Sequence, residues 1–460
     1  MQHQPHRDFP TKPPSSTVSL DADGKTTDFR PFSAAKSPQM RTFHLSWLNL
    51  FSCFFATFSI PPLIPVIRDD LHLTASEIGA AGSASFAGAI VSRLLMGPIC
   101  DLVGPRIASG TLSLITAPII LATSLASTPQ SFIIIRFLVG FSIATFVSNQ
   151  FWTSSMFSPS CVGAANAVAA GWANMGSGVT QLLMPLLYSL IMSLFHVPSS
   201  TAWRLSFILP AIFQALTGIL VLAFGHDPVP SRNRKVGPKE SVFSVVMGGL
   251  RDYRGWILGL LYGFCFGVEM TTDNIIAGYF YDRFGVNLQT AGTIAACFGM
   301  ANFFSRPTGG LVSDAMGKRF GVRGRLWALW VVQTVAGLLC VLLGRVNSLW
   351  SSIVVMCCFS VFVQAASGLT FGVVPFVSSR SLGVISGMTG SGGTIGAVVT
   401  QLLLFSGDTM SKQTSISLMG LMMIICTLPV TLIYFPQGGG MFCGPTSNDD
   451  PLEENYTLLE

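Results

Sequence analysis

Two arginines occupy matching positions in two copies of one short pattern. Arg93 lies eight residues before Asp101, and Arg306 lies eight residues before Asp314. Each aspartate belongs to a turn of the form G-x-x-x-D-x-x-G-x-R, and each arginine lies in an otherwise apolar run. A guanidinium in such surroundings requires an anionic partner. The repeat therefore indicates two buried cations whose chemistry is the binding of an anion.

The spacing places both arginines deep in a membrane. Eight residues at a rise of about 1.5 Å per residue put each arginine roughly 12 Å from its turn, near the middle of a hydrocarbon core about 30 Å thick. An arginine at that depth costs about 2.5–3.5 kcal/mol on insertion scales, so we expect it to face a cavity lined by protein or water. A planar guanidinium with fixed donors suits bidentate contact with a small planar oxyanion better than a lysine does.

Buried carboxylates are the alternative partners for the same two arginines, since buried charges are commonly paired with each other. Asp101 and Asp314 belong to the turns at the membrane interface. Glu269 and Asp273 are then the clear acids inside an apolar run. Two acids could neutralise two arginines, so an anion-binding pair and a pair of internal salt bridges both remain open on this evidence.

Composition identifies the class of protein that holds these charges. Half of the 460 residues are hydrophobic, only 10% are charged, and the mean hydropathy is +0.59, values far from those of a soluble domain. The ten cysteines lie mostly inside apolar runs and show no disulfide or metal-binding spacing. We find no nucleophile–base–acid set and no phosphate loop, so neither an enzyme, a metal nor a cofactor is expected.

Apolar runs of about 20 residues recur along the chain, and each is long enough to span the bilayer. We predict an all-α polytopic membrane protein with twelve transmembrane helices. The expected helices are 43–65, 78–100, 106–127, 130–156, 163–192, 203–225, 255–279, 290–313, 324–345, 349–373, 382–405 and 416–435.

Charge distribution predicts the orientation and the domains. Lysine and arginine concentrate in the connection 226–254, so the net charge of +5 is explained by cytosolic loops and not by a nucleic-acid partner. By the positive-inside rule both termini are cytosolic. We expect a disordered cytosolic arm at 1–42, which lacks the apolar core of a signal peptide, and a cytosolic tail at 436–460. The two six-helix halves are then 43–225 and 255–435.

A second repeat supports the division into halves. The sequence Val-Thr-Gln-Leu-Leu occurs at 179–183 and again at 399–403, each time after a glycine-rich stretch. Two parallel, pseudo-symmetric repeats of six helices are the architecture of major facilitator transporters, with the substrate between the halves. Dense small residues also suit helices that slide against their neighbours during alternating access. The glycines expected to serve this movement are Gly171, Gly176, Gly178, Gly390, Gly392, Gly393 and Gly396.

Other side chains are expected at the depth of the arginines. Counted from the cytosolic ends of their helices, Asn174, Thr394, Phe146 and Phe266 lie about 15–18 Å inside, with Tyr262 somewhat shallower. An amide can donate to a bound anion, and aromatic faces can enclose its flat surface. The alternative for each aromatic residue is simple helix packing.

The glycine-rich stretches carry a resemblance to a known family. Residues 171–178 and 387–393 resemble the paired nitrate signatures of the nitrate/nitrite porter family, and the two aspartate turns resemble the loop motif of major facilitators. Three further segments are similar to the plant high-affinity nitrate transporters, at 40–47, 274–281 and 374–377. The likeness extends from about residue 20 to about residue 445.

The resemblance implies roles for particular residues. In this family the two arginines clasp nitrate between the halves. The positions that match the family's nitrate contacts are Arg93, Arg306, Asn174, Tyr262 and Phe266, with Phe146 a looser match. Thr394 stands where asparagine is common in plant members, which is expected to loosen a second amide contact. The turns that resemble the family's gating motif contain Asp101, Arg106, Asp314 and Arg319.

Plant members of the family are proton-coupled symporters, so a protonatable group is expected. Glu269 and Asp273 are the candidates, because a spacing of four places them on one helix face and burial disfavours the charged form of a carboxylate. The alternative role for each is a structural partner of an arginine. Many plant members also work with a small single-span accessory membrane protein, which is a further expected partner.

Two features concern the location of the protein. Residues 149–152 and Ala173 resemble the branch of the family that lies in the vacuolar membrane. Residues 454–459 resemble an acidic dileucine sorting signal, formed here by Glu454, Leu458 and Leu459. The vacuolar membrane is therefore the favoured location, with the plasma membrane as the alternative.

The sequence thus predicts a secondary transporter for nitrate, and also nitrite, that is driven by protons and works by alternating access. An organic-anion carrier of the same fold is one alternative. A nitrate receptor that binds without transport is another, although the cytosolic segments are short for a signalling domain.

Overall fold

The computed structural model describes residues 25–444 apart from 28, 30–37, 159–160, 228–241, 379–380, 408–409 and 437. The predicted sorting signal at 454–459 therefore lies outside the described residues, as does most of the predicted N-terminal arm. The described chain is overwhelmingly helical, with one two-stranded antiparallel sheet near its C-terminal end.

The described residues of the first half form nine α-helices, and in some cases two of them together make one membrane crossing. Their bounds are α1 (Pro38–Thr57), α2 (Ile64–Leu71), α3 (Ala75–Val103), α4 (Pro105–Ala122), α5 (Pro129–Val139), α6 (Thr145–Met156), α7 (Val162–Phe195), α8 (Ser199–Ser206) and α9 (Ile208–Phe224). Short 3-10 turns join α1 to α2 and α5 to α6, so that each pair continues as one interrupted rod.

In the second half, the part of the chain that the structure describes forms eight α-helices after the linker. They are α10 (Val242–Arg251), α11 (Tyr253–Gly263), α12 (Phe266–Phe284), α13 (Leu288–Met300), α14 (Asn302–Arg345), α15 (Leu349–Val373), α16 (Leu382–Phe405) and α17 (Lys412–Thr427). Strand β1 (Tyr434–Phe435) pairs with β2 (Gly439–Gly440) after the last helix.

Ten helical stretches of the described chain are long and apolar enough to cross a membrane. One of them, Leu288–Arg345, is 58 residues long and turns at Gly321, whose φ of +64° interrupts α14, so it contains two crossings. A further crossing is formed by α11 and α12, which are separated by a break at Phe264 and Cys265; α12 carries the acids Glu269, Asp273 and Asp282. This arrangement is consistent with the twelve predicted crossings.

Several helix ends differ from the predicted ones for local reasons. Helix α1 begins at Pro38, inside the segment predicted to be a disordered arm, and it ends at Thr57 because Pro61 and Pro62 start a 3-10 turn. Thr26 and Phe29 also belong to the folded part, since Thr26 pairs with Phe157 through the backbone and the Phe29 ring contacts the Phe157 ring at 5.5 Å. The predicted disordered arm, residues 1–42, therefore includes residues that are folded.

The two copies of the aspartate turn fold differently. In the first copy Gly104 has a φ of +83°, which ends α3, and Pro105 begins α4. In the second copy the helix continues through Gly317 and is interrupted only at Gly321. Glycine is needed at both break points because other residues rarely adopt positive φ.

The halves meet along two matching seams. Helix α3 of the first half packs on α16 of the second, while α7 of the first half packs on α13 and α14. We call the side of the bundle with the described chain ends the terminal face, where Thr26 pairs with Phe157 and Met441 accepts a hydrogen bond from Arg323. The other side is the opposite face. The seams bring the repeated arginines, on α3 and α14, to the interface between halves.

Candidate anion-binding site

The two repeated arginines converge on one aromatic ring at the centre of the interface. Arg93 is 7% exposed and Arg306 is 3% exposed. Their Cζ atoms lie 6.0 Å and 5.1 Å from the centroid of the Phe266 ring. Phe266 begins α12 directly after the break at Cys265, so the interrupted helix places this ring within 6.0 Å of guanidinium groups from both halves.

Arg93 reaches across the interface but meets only neutral groups. Its Nη1 donates to the carbonyl oxygen of Gly390 at 3.2 Å and to the hydroxyl of Thr394, both on α16. Its Nε and Nη2 have no hydrogen-bond partner among the described residues. These two nitrogens form one edge of the guanidinium, the edge that contacts an oxyanion in a bidentate manner. The cation is therefore buried with its anion-binding edge unused.

Arg306 is bonded through all three nitrogens. Nη2 lies 2.7 Å from Oε2 of Glu269, Nε donates to Asn302 Oδ1 at 3.2 Å, and Nη1 donates to the hydroxyl of Tyr262 at 3.4 Å. Both members of the ion pair are almost fully buried, at 3% and 2% side-chain exposure. The internal salt bridge considered from the sequence is thus present for Arg306 and absent among the described contacts of Arg93.

Glu269 and Asp273 on α12 have different surroundings although they share one face of the helix. Glu269 also accepts from Asn302 Nδ2 at 2.7 Å and from the Ser367 hydroxyl at 3.4 Å. Asp273 is 4% exposed, and its Oδ1 has no hydrogen-bond partner in the described chain. Of these two acids, only Glu269 contacts Arg306 directly.

The three predicted aromatic residues form a continuous stack beside the arginines. Tyr262 and Phe266 stack with centroids 5.0 Å apart at 15°, and Phe146 stacks on Phe266 at 6.5 Å and 27°. The Cζ of Arg93 lies 5.1 Å from the Phe146 centroid. The faces of these rings favour cations and leave flat apolar walls around the free edge of Arg93.

Asn174 is buried at 2% exposure, and neither its Nδ2 nor its Oδ1 has a partner in the described residues. Gly171 and Gly178 lie on the same face of α7, three and four residues away; Gly171 packs on the start of α14 and Gly178 on the end of α13. An unbonded buried amide is costly. Asn174 is therefore a donor available to a ligand at this seam.

Six of the seven predicted glycines are positions of close helix contact. A Cβ atom at Gly176, Gly392 or Gly396 would overlap the backbone of a neighbouring helix, and one at Gly393 would lie 2.7 Å from Tyr262 Cδ1. Gly171 and Gly178 make equally close contacts. Gly390 differs, because nothing lies within 4 Å of its Cβ position. Close packing does not explain Gly390, whose carbonyl instead accepts from Arg93.

The predicted turn residues pair with partners other than each other. Arg106 lies 3.1 Å from Asp227, which follows α9, and Asp314 lies 2.8 Å from Arg325. The guanidinium of Arg319 lies over the Phe320 ring, with Cζ 5.3 Å from its centroid. In the second turn the arginine that contacts the aspartate is therefore Arg325, which lies outside the predicted turn motif. The side chain of Asp101 lies outside the description.

Sequence reasoning missed two residues of the site and one buried arginine outside it. Asn302 bridges Arg306 and Glu269, and its position four residues before Arg306 on one helix face was the available signal. Ser367 comes from α15 and carries no sequence signal of its own. Arg136 is a third buried arginine, at 3% exposure, inside an apolar run of α5.

Comparison with known proteins identifies the family. Residues 46–400 match the Major Facilitator Superfamily. The chain is 63% identical to "High affinity nitrate transporter 2.7" of Arabidopsis thaliana over 98% of this chain and 95% of that protein. The chain belongs to the plant high-affinity nitrate transporter family within the Major Facilitator Superfamily. This confirms the resemblance drawn from the glycine-rich signatures, while the vacuolar branch remains a prediction.

Further relatives agree with this family. "High affinity nitrate transporter 2.5" of Arabidopsis thaliana is 57% identical over 98% of this chain and 90% of its own length. A bacterial homologue of the human lysosomal transporter Spinster, solved inward-facing and unoccupied, matches with a TM-score of 0.65 at 17% identity, over 86% of this chain and 96% of that one. The fold is that of a major facilitator, and the protein is an integral multi-pass membrane protein. Family members are named as transporters and not as enzymes.

Proposed function

We propose that this protein transports nitrate, and also nitrite, across its membrane by alternating access to one site between the halves. The observation that carries the proposal is Arg93, a buried guanidinium whose Nε and Nη2 remain unbonded beside Phe146 and Phe266. The relatives named nitrate transporters support the choice of anion. A small planar oxyanion matches the bidentate edge of a guanidinium.

Nitrate binding at this site uses groups of both halves. Two oxygens of nitrate accept from Nε and Nη2 of Arg93, and Asn174 donates its amide to the same anion. Arg306 supplies the second cation once its Glu269 partner is released. An anion held by residues of α3, α7 and α14 is bound most tightly when the halves close around it, which couples occupancy to the conformational change.

Protons enter through Glu269 in this proposal. The carboxylate occupies the Nη2 of Arg306 at 2.7 Å, so it competes with nitrate for that arginine. Protonation of Glu269 removes its negative charge, which weakens its hold on Arg306 and favours the anion there. Proton and nitrate then bind together, as symport requires. Asp273, one turn away and partly unbonded, is the second candidate for a coupling proton.

Uptake of labelled nitrate into proteoliposomes containing the purified chain tests this function. We expect accumulation driven by an imposed proton gradient, and its collapse when the gradient is abolished. Specific nitrate binding without flux would indicate a receptor and contradict the transporter. Flux of organic anions that excludes nitrate would indicate a different substrate. The expected accessory partner is tested in the same assay. Nitrate uptake by the chain alone is compared with nitrate uptake after a single-span accessory protein is added.

The basic residues of the terminal face and the C-terminal tail support an orientation and a location for the protein. The terminal face, which carries Arg251, Arg254 and Arg323, is assigned to the cytosol by the positive-inside rule. The vacuolar membrane is favoured by the dileucine-like tail. Replacement of Leu458 and Leu459 by alanine in a tagged protein is expected to move it to the plasma membrane. Unchanged vacuolar location would remove the tail as the signal, and plasma-membrane location of the unaltered protein would contradict the assignment.

A further inference from the structure

A third buried arginine lies outside the site described above. Arg136, on α5, donates from Nη2 to Asn274 Oδ1 at 2.8 Å and from Nη1 to the carbonyl oxygen of Thr57 at 3.3 Å. Its Nε has no partner among the described residues. Every described hydrogen-bond partner of this guanidinium is a neutral oxygen. Arg136 is therefore a second buried cation, like Arg93, without a contacting carboxylate in the described chain.

Arg136 lies between the halves, toward the opposite face. Asn274 is five residues beyond Glu269 on α12, which places it about 7.5 Å from that acid along the helix. Asn274 also donates to Gln401 Oε1 at 3.3 Å, and Gln181 donates to the carbonyl oxygen of Asp273 at 2.6 Å. Gln181 and Gln401 are the matching glutamines of the repeated Val-Thr-Gln-Leu-Leu sequence.

These bonds close the interface on this side. The bonds Arg136–Asn274 and Gln181–Asp273 each join the first half to the second. Nearer the surface, Arg68 of the first half pairs with Asp282 of the second at 3.1 Å. When the opposite face opens, α12 must withdraw from α5 and take Asn274 with it. The guanidinium of Arg136 then keeps its charge and gains free donors toward the entrance.

The need to join the two halves does not by itself explain a positive charge at Arg136. A neutral donor such as glutamine would join the halves at a far lower desolvation cost than an arginine without a carboxylate. The carbonyl and amide oxygens that contact Arg136 occupy the places that the oxygens of an anion would take. A buried cation along the entrance also raises the local concentration of anions.

We propose that Arg136 forms an outer binding site for a small oxyanion, which receives the anion when the opposite face opens and passes it to Arg93 and Arg306. In the closed state Asn274 takes the place of the anion. This inference rests on the proposed function, because it assigns a second station on the same nitrate route.

The test measures kcat/KM for nitrate entering from the opposite face in proteoliposomes. We expect R136Q to lower it about tenfold, because a charge-assisted contact is lost. R136K, which keeps the charge, should stay within about threefold of the unaltered protein. N274A, which breaks the closing bond but keeps the cation, should not lower it. R204Q is the matched control, since Arg204 lies on the same face but is paired with Asp70 at 2.7 Å.

Two results would overturn the outer site. One is unchanged kcat/KM in R136Q. The other is an equal fall in R136K, N274A and R136Q, which would make Arg136 only a closing bond. If R136Q does not fold, N274D replaces it, since a carboxylate there neutralises Arg136 in place and should give the same tenfold fall. Failure of the unaltered protein to transport nitrate would instead refute the proposed function.

Discussion

Arg306 and Glu269 form a buried ion pair of 2.7 Å, whereas Arg93, the counterpart of Arg306 in the first half, contacts only neutral groups among the described residues. The duplicated arginines are therefore chemically unequal. One presents a free edge to an anion, and the other is held by an acid that a proton can neutralise. This inequality is what links anion binding to proton binding in the proposed mechanism.

Glu269→Gln tests that link. In the unaltered protein, nitrate binding should strengthen as pH falls, because protonation of Glu269 releases Arg306. The glutamine cannot ionise, so nitrate binding should become nearly independent of pH and tighter than that of the unaltered protein at high pH. Titration of purified protein with nitrate over a range of pH measures both effects. Unchanged pH dependence in this variant, together with its loss in Asp273→Asn, would transfer the role to Asp273.

Asn174→Ala removes the amide that lacks a partner. Because this side chain makes no described hydrogen bond, the melting temperature should not fall, whereas KM for nitrate should rise about fivefold for one lost hydrogen bond. Asn149→Ala is the matched control, since the amide of this buried asparagine donates to the hydroxyl of Ser46 on α1 with an N–O distance of 2.7 Å. That variant should lose stability and keep its KM. A normal KM in Asn174→Ala would exclude the amide from the site.

Gly393→Ala and Gly390→Ala separate two glycines of the same signature. A Cβ at Gly393 would meet Tyr262 Cδ1 at 2.7 Å and Phe266 Cδ1 at 2.9 Å, so the aromatic stack must shift. Overpacking of this kind typically costs about 1–3 kcal/mol, and nitrate transport should fall roughly tenfold. Nothing lies near the Cβ position of Gly390, so its variant should keep transport within about twofold. If both variants lost the same fraction of the initial nitrate uptake rate, displacement of the Tyr262–Phe266 stack would not be the cause.

Arg325→Gln should destabilise the protein more than Arg319→Gln. Arg325 is largely buried and bonds Ser313, Asp314 and the carbonyl of Gly372, whereas Arg319 lies over the exposed ring of Phe320. Because Asp314 is itself 63% exposed, we expect a loss of only about 1–2 kcal/mol for Arg325→Gln. Thermal unfolding in detergent measures the difference. A larger loss in Arg319→Gln would contradict a stabilising role for the contacts of Arg325.

The sequence predicts the convergence of Arg93 and Arg306 well, and the reason is duplication. Two residues at matching positions of two similar halves come to matching places at the interface between them. A different argument places Phe266 and Tyr262, because their depth in the membrane is predicted by counting the helical rise from the cytosolic end of their helix. The structure brings all four together, and their roles in binding nitrate remain proposals.

The partner of each charge could not be predicted in this way. Glu269 and Asp273 share one helix face, so spacing does not say which of them contacts Arg306. The choice depends on Asn302 and Ser367, which approach from α14 and α15 and hold Glu269 in place. Arg325 was missed as the partner of Asp314 because α14 continues past Gly317 and turns only at Gly321.

Equilibrium nitrate binding to Arg93→Lys and Arg306→Lys tests the central claim most directly. Lysine keeps each positive charge but loses the planar edge that contacts two oxygens at once. We predict that nitrate affinity at low pH falls tenfold or more in both variants, while the purified proteins remain folded. Full nitrate affinity in both would contradict a bidentate clasp by two arginines.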